Sequence, residues 1–249
     1  MTPLECLDLV RARCGTLGLE RIETMLRDKA AGIAPRTPPL QYTDLLHVPG
    51  LTARPFHDPA TFPWAAAFEA AWQEVLAEYH AVVQAGVARD SWEPYGKGWH
   101  SRMLYQRGRW YPESTALAPV TTALLRSTHY TQGEFLFSEI APRGEIPLHS
   151  GGCNAVLSMH LALIIPPDCS IRVGPLTRHW TPGKVLAFDD SFIHGVWNDS
   201  DEWRVALVWE VWHPELTDAE RAAIELVYRH LVNDPEVDGA SSYKSGSIS

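Results

Sequence analysis

The sequence predicts a mainly β chain with flanking helices, built on a double-stranded β-helix (jelly-roll, cupin-like) core, and three observations carry that reading. From Glu134 onward, short runs rich in Val, Ile, Leu, Phe and Trp alternate with turn residues at Pro166-Pro167-Asp168, Pro182-Gly183 and Asn198-Asp199-Ser200-Asp201, the texture of strands in an all-β barrel. Two of those runs show one fully apolar face and a second face carrying a polar group among small side chains. Helical periodicity is confined to the N-terminal half and the C-terminal end.

Taken in order, residues 3–31 place Leu4, Leu7, Leu9 and Val10, then Leu19, Ile22, Met25 and Leu26, on repeating faces, interrupted from Gly15 to Gly18. That pattern predicts two short packing helices. Pro35, Pro38, Pro39, Pro49 and Gly50 make residues 34–55 an extended connection. Asp58-Pro59 is expected to open the longest helix, with Phe68, Trp72, Val75, Leu76 and Tyr79 as its apolar stripe, read as core packing. Residues 99–111 read as extended and 115–127 as a short helix. Strands are expected at 135–140, 155–165, 170–173, 185–188, 195–197 and 203–212. Thr217 and Glu220 form a capping box for a last helix whose Ile224, Val227, Tyr228 and Leu231 share a face. The organisation is therefore a single domain over 1–237, with a helical part to residue 98, a jelly-roll core over about 99–216 and a C-terminal helix over 217–233. The Ser- and Gly-rich stretch 238–249 reads as a disordered tail.

Composition narrows the function. A chain of 249 residues with 45% hydrophobic content supports one core. A net charge of −9 without a Lys/Arg block argues against a nucleic-acid partner. The sequence contains neither an apolar run of membrane-spanning length nor a secretory signal pattern, so no membrane partner and a cytoplasmic location are expected. Cys6, Cys14, Cys153 and Cys169 lack metal-ligand spacing and read as thiols of a reducing compartment. The oligomeric state is left open.

Strand parity locates a binding site. Over Trp203–Trp212, the residues Trp203, Val205, Leu207, Trp209 and Val211 form a core face, leaving Arg204, Ala206, Val208 and Glu210 on the other. Over 155–164, Leu157, Met159, Leu161 and Leu163 face the core, and Val156, Ser158, His160 and Ala162 oppose them. Small neighbours around a polar hook leave a barrel open for a ligand. His149 and His194 add two imidazoles suited to ferrous iron, and Arg204, ten residues after His194, suits a carboxylate.

His149-Ser-Gly-Gly-Cys-Asn154, Met159-His160-Leu161, Gly183-Lys184-Val185, Phe188-Asp-Asp-Ser-Phe192 with His194, Val196-Trp197-Asn198 and Trp212-His-Pro-Glu-Leu216 resemble the aspartyl/asparaginyl β-hydroxylase family of iron(II)- and 2-oxoglutarate-dependent oxygenases. The resemblance implies Fe(II) held by His149 and His194, with 2-oxoglutarate and O2 as cosubstrates. It assigns Arg204 and Ser138 to the far carboxylate of 2-oxoglutarate, His160 to the nearer one and Trp99 to its flank, and counts Ser158 among the cosubstrate-binding residues. Where the wider superfamily has His-x-Asp, both this chain and the resembled family carry Gly, here Gly151. That implies two protein ligands, assisted through water by a carboxylate for which Asp190 is the candidate and Asp189 the alternative. Both aspartates read equally as turn formers. One departure bears on substrate: family members carry Arg-x-Arg-Met-His, whereas this chain has Val156-Leu157-Ser158-Met159-His160. The expectation is accordingly hydroxylation of an amino acid or amino-acid-derived small molecule, carrier-bound or peptidic forms included, with release of succinate and CO2. A halogenase using the position freed by Gly151, and a non-catalytic jelly-roll binding module, are the alternatives.

Overall fold

The computed structural model describes residues 1–93, 95–128, 131 and 133–232. Seven α-helices are described: α1 Pro3–Cys14, α2 Glu20–Ala31, α3 Ala65–Ala70, α4 Trp72–Gln84, α5 Pro112–Thr115, α6 Pro119–Arg126 and α7 Asp218–Val227, the last running into a π-type turn Tyr228–Val232. The strands are β1 Phe56–His57, β2 Asp90–Ser91, β3 Lys97–Gln106, β4 Arg109–Trp110, β5 Glu134–His149, β6 Val156–Ile164, β7 Cys169–Val173, β8 Leu176–Arg178, β9 Val185–Phe188, β10 His194–Asn198 and β11 Arg204–Trp212. They form one sheet in the order β1-β9-β6-β11-β5-β10-β7-β8, with β3 also on β5 and flanked by β2 and β4.

The sheet curls because, on the edge opposite β3, β5 serves two partners in turn. Its first half pairs antiparallel with β11, from Leu136↔Val208 to Ile140↔Arg204, and its second half with β10, ending at His149↔His194. Between the halves Arg143 has φ 58°. At the next residue, Gly144, a Cβ would lie 2.8 Å from the carbonyl oxygens of Ala141 and Lys97, so the bend tolerates no side chain there. The outcome is a curled antiparallel half-barrel of the cupin/jelly-roll type with helices around it.

Parity holds on both key strands. Leu157, Met159, Leu161, Val205, Leu207, Trp209 and Val211 are buried under α3 and α4, where Phe68 stacks on Trp209 at 4.4 Å between ring centroids. The apolar stripe of Phe68, Val75 and Tyr79 is thus core packing. A second cluster joins α1, α2 and α7 to Cys153, Val156 and Trp212. The four cysteines are free thiols, three of them buried.

Several boundaries differ from the sequence expectation. Asp58 accepts a hydrogen bond from Ala60 N, but it caps only the 3-10 turn Pro59–Thr61. Pro63 then intervenes, and the helical run resumes as α3 and α4 with a joint at Ala71. The helix expected over 115–127 is two short ones, each starting at a proline, Pro112 and Pro119. Strand β5 continues through Pro147 to His149 itself, beyond the expected end at 140. Strand β8 was not anticipated, and Trp203 is 38% exposed rather than core. The capping box at Thr217 and Glu220 is present as expected. The proposed tail 238–249 lies outside the described residues. Among the described residues no helix is long and apolar enough to cross a membrane.

Candidate active site

The inward faces of β5, β6, β9 and β11 line a cavity of about 200 Å3, which Arg204, His149, His194, Ser138, His160 and Trp99 all help to wall. His149 ends β5 and His194 begins β10, and because the two are cross-strand partners their rings lie 4.1 Å apart between centroids. Each Nδ1 sits against the carbonyl oxygen two residues earlier, His149 on Pro147 at 2.8 Å and His194 on Phe192 at 2.9 Å. A carbonyl only accepts, so both Nδ1 atoms carry the proton and both Nε2 atoms hold the lone pair, the tautomer a metal ligand requires. Burial, then the neighbouring His149, lowers the pKa of His194 well below the usual imidazole value, and burial lowers that of His149. Both imidazoles are therefore neutral at physiological pH.

Gly151 lies two residues after His149. A Cβ there would lie 2.6 Å from Asp190 Cγ and Oδ2, and Gly151 N donates to Asp190 O at 2.8 Å. The Asp190 carboxylate thus occupies the room left by the missing side chain. Burial foremost, then Glu210 and Asp189, holds its pKa well above the usual carboxylate range. Asp189, the alternative, is committed elsewhere: it accepts from Gln41 Nε2 at 3.2 Å, Ser191 N at 3.0 Å and Ser191 Oγ at 2.5 Å. It closes the turn before β10, and burial raises its pKa to about 6. Among the described residues no group of three His, Cys, Asp or Glu side chains is arranged around a common metal position.

Arg204 marks the other anchor. Only 1% exposed, it donates from Nη2 to His160 Nδ1 at 3.2 Å and from Nη1 to Ser138 Oγ at 3.5 Å, while its Nε has no partner among the described residues. Because a guanidinium only donates, His160 Nδ1 must accept, which puts the imidazole proton on Nε2. Burial, then the Arg204 charge, keeps His160 neutral, and burial lowers Arg204 itself from 12.5 to about 10. Trp99 Nε1 donates to Ser138 Oγ at 3.3 Å. The structure therefore brings together Arg204, His160, Ser138 and Trp99. Ser158 it sets apart, since Ser158 lines the cavity one inward position further along β6, opposite Glu210 rather than near Arg204.

Trp180 escaped the sequence reading. Its ring lies under Arg204 Cζ at 4.2 Å and stacks on His160 at 5.9 Å, walling the guanidinium off from solvent. It sits in the loop between β8 and β9, where strand parity has no meaning, and its only local signal is the neighbouring turn Pro182-Gly183. Glu210 was visible as an inward-facing residue but without a role.

A curled antiparallel barrel holding two adjacent neutral imidazoles, and beyond them a buried guanidinium with an unfilled N–H, defines the class: a 2-oxoglutarate/iron(II) oxygenase-like fold. The family model described as Aspartyl/Asparaginyl beta-hydroxylase matches residues 69–214, spanning every one of these groups. The chain belongs to the aspartyl/asparaginyl β-hydroxylase family. It is 40% identical over 134 residues to the aspartyl/asparaginyl beta-hydroxylase of Mus musculus, covering 52% of this chain and 18% of that protein. Against aspartate beta-hydroxylase domain-containing protein 1 of Homo sapiens it is 30% identical over 217 residues, 76% of this chain and 52% of the relative. An ornithine lipid ester-linked acyl 2-hydroxylase of Rhizobium tropici is 31% identical over 165 residues, 61% of this chain and 58% of the relative. The chain thus spans less than two thirds of each of these relatives. Among solved structures, a 2OG-Fe(II) oxygenase family oxidoreductase from Burkholderia pseudomallei aligns with TM-score 0.41 and 14% identity, covering 70% of this chain and 95% of that one.

Proposed function

We propose that this protein is an iron(II)- and 2-oxoglutarate-dependent hydroxylase acting on a C–H bond of an amino acid or amino-acid-derived small molecule. Arg204 carries the reading. A guanidinium 1% exposed with an unfilled Nε–H is costly to bury unless a carboxylate completes it, and it lies in the same cavity as the imidazole pair. The residues fit the group: neutral imidazoles with Nε2 lone pairs suit Fe(II), and Arg204 suits the far carboxylate of 2-oxoglutarate. Iron with 2-oxoglutarate supplies the oxidising power, using O2 to convert C–H to C–OH with release of succinate and CO2.

The chain's own groups bind, orient and exclude water. His149 and His194 would hold the metal, their rings fixed by the carbonyls of Pro147 and Phe192. Arg204 and Ser138 would clamp the oxo-acid at its far end, with His160 presenting an Nε2–H from a ring held by Arg204. Trp99, Trp180 and Phe188 wall that end with apolar surface, which strengthens the electrostatics inside it. Asp190, whose carboxyl fills the space next to Gly151, would hydrogen-bond a water at the metal.

Anaerobic titration of the protein with ferrous iron, with and without 2-oxoglutarate, tests the proposal through the charge-transfer absorption of the complex, and succinate formation in air tests the turnover. His194→Ala should abolish both signals. A wild-type protein that binds iron no better than that variant is a non-catalytic barrel, and the proposal fails.

A further inference from the structure

The cavity has a second end, and its charge is opposite. Strand β11 points Arg204, Ala206, Val208 and Glu210 along one face, so Arg204 and Glu210 stand six residues, roughly 20 Å of strand, apart. Both wall the same cavity. Across from Glu210 on β6 is Ser158, and on β5 the register that pairs Leu136 with Val208 continues toward Glu134. Resting on the hydroxylase reading above, we infer that the substrate carries an ammonium or guanidinium group that docks against Glu210, with Glu134 contributing a second negative charge.

Four observations support this. Among the described residues the Glu210 side chain takes one hydrogen bond, from Thr131 Oγ at 3.2 Å, far fewer than a carboxylate accepts in a purely structural role. At Gly133 a side chain would collide with the Glu210 carboxylate, so the backbone there leaves the acid its place on the cavity wall. Glu134 accepts from Gln106 Nε2 at 2.8 Å, and Asp190 adds a third acid nearer the histidines, so that the acids at this end outnumber Arg107, the one cation lining it among the described residues. Independently of the acids, the buried and incompletely bonded Arg204 shows that the cavity is built to receive a ligand rather than left over from loose packing.

Electrostatics agrees with the geometry. Burial, then Glu134, pushes Glu210 up to about 7. Two adjacent acids resist joint ionisation, and a cationic ligand reduces that resistance. Between the ends, Leu136 and Val208 supply apolar wall, which suits an aliphatic spacer between the cation and the carbon attacked. A basic amino acid or its derivative has that chemistry; an aspartyl side chain does not.

The test uses the full chain with L-lysine, L-ornithine and L-arginine against the neutral isosteres L-norleucine and L-citrulline. Binding is read calorimetrically on metal-free protein, and product mass on the iron- and 2-oxoglutarate-loaded protein. Cationic probes should bind better than their isosteres by roughly tenfold or more, a margin expected of one charge-assisted contact, and Glu210→Gln should erase that margin. Glu134→Gln should reduce it. In the variants, 2-oxoglutarate binding reports correct folding. Equal binding of cations and isosteres, or a margin that survives Glu210→Gln, overturns the inference. The metal-free arm keeps the two readings separable: a cation preference without iron or 2-oxoglutarate binding sinks the hydroxylase proposal alone, and iron and 2-oxoglutarate binding without cation preference sinks only this one.

Discussion

Replacing Arg204 with Met should separate ligand binding from stability. The guanidinium's fall from 12.5 to about 10 means that burying it in charged form costs roughly 3 kcal/mol. Arg204→Met removes that cost with a side chain of similar length. Against the gain stand the lost hydrogen bonds to His160 and Ser138 and the lost contact with the Trp180 ring, of comparable total size. The net change should stay within about 2 kcal/mol, a few degrees of melting temperature in a chain of this length. Binding of 2-oxoglutarate should respond very differently. Deleting one partner of a buried ion pair costs about 3–5 kcal/mol, so affinity should drop by roughly two to four orders of magnitude. Thermal unfolding of the anaerobic, iron-loaded protein across a 2-oxoglutarate titration measures both quantities at once, because a ligand that binds only the folded state raises its stability logarithmically with concentration. A variant that melts far below wild type yet keeps the same ligand-induced rise would show that Arg204 is a structural group, and the assignment of the cosubstrate end would be wrong.

Gly151→Ala places a methyl 2.6 Å from the Asp190 carboxylate and should destabilise by about 1–3 kcal/mol in denaturant titration, with Asp190→Ala in the same chain restoring most of the loss; no rescue would mean that the two positions do not compete for space. Glu210 ionises near 4.5 when unfolded but at about 7 when folded, so the folded state binds the extra proton and loses stability as pH rises from 4.5 through 7. Glu210→Gln should therefore stabilise the unliganded protein above pH 7 and leave it unchanged below pH 4.5, as read from paired unfolding curves. His57 behaves in the opposite sense: burial, then His213, lowers it from 6.5 to about 4, so the unfolded chain protonates first and stability falls as pH drops through that interval. A His57→Gln variant should lose less stability than wild type on acidification from pH 6.5 to 4, and parallel curves would contradict the assignment.

Much of this protein was legible in the sequence because the signals are local. Alternation along β6 and β11 assigned an inward face to Arg204 and His160 with no knowledge of their partners, since side-chain direction in a strand follows from backbone geometry alone. The Thr217 capping box and the break at Gly15–Gly18 likewise depend only on neighbouring residues. What the sequence could not decide is whatever depends on two distant segments meeting. The length of β5 was underestimated because Pro142 and Pro147 look like strand ends, and only pairing with β10 on one side makes a strand of Ile146 to His149. The long helix expected from Asp58 dissolved for the converse reason, Pro63 cutting a run whose periodicity is otherwise continuous.

The same division runs through the site. Residue types and spacing determined that this chain has two imidazoles and a guanidinium suited to iron and an oxo-acid. Tertiary structure alone decided that the imidazoles are cross-strand partners, that Asp190 fills the space at Gly151 while Asp189 closes a turn, that Trp180 lies under Arg204, and that Glu210 gives the cavity an acidic end. The physical reason is that chemistry belongs to a side chain, whereas distance, burial and the company of other charges belong to the fold, and the latter fix which proton or ligand each group holds.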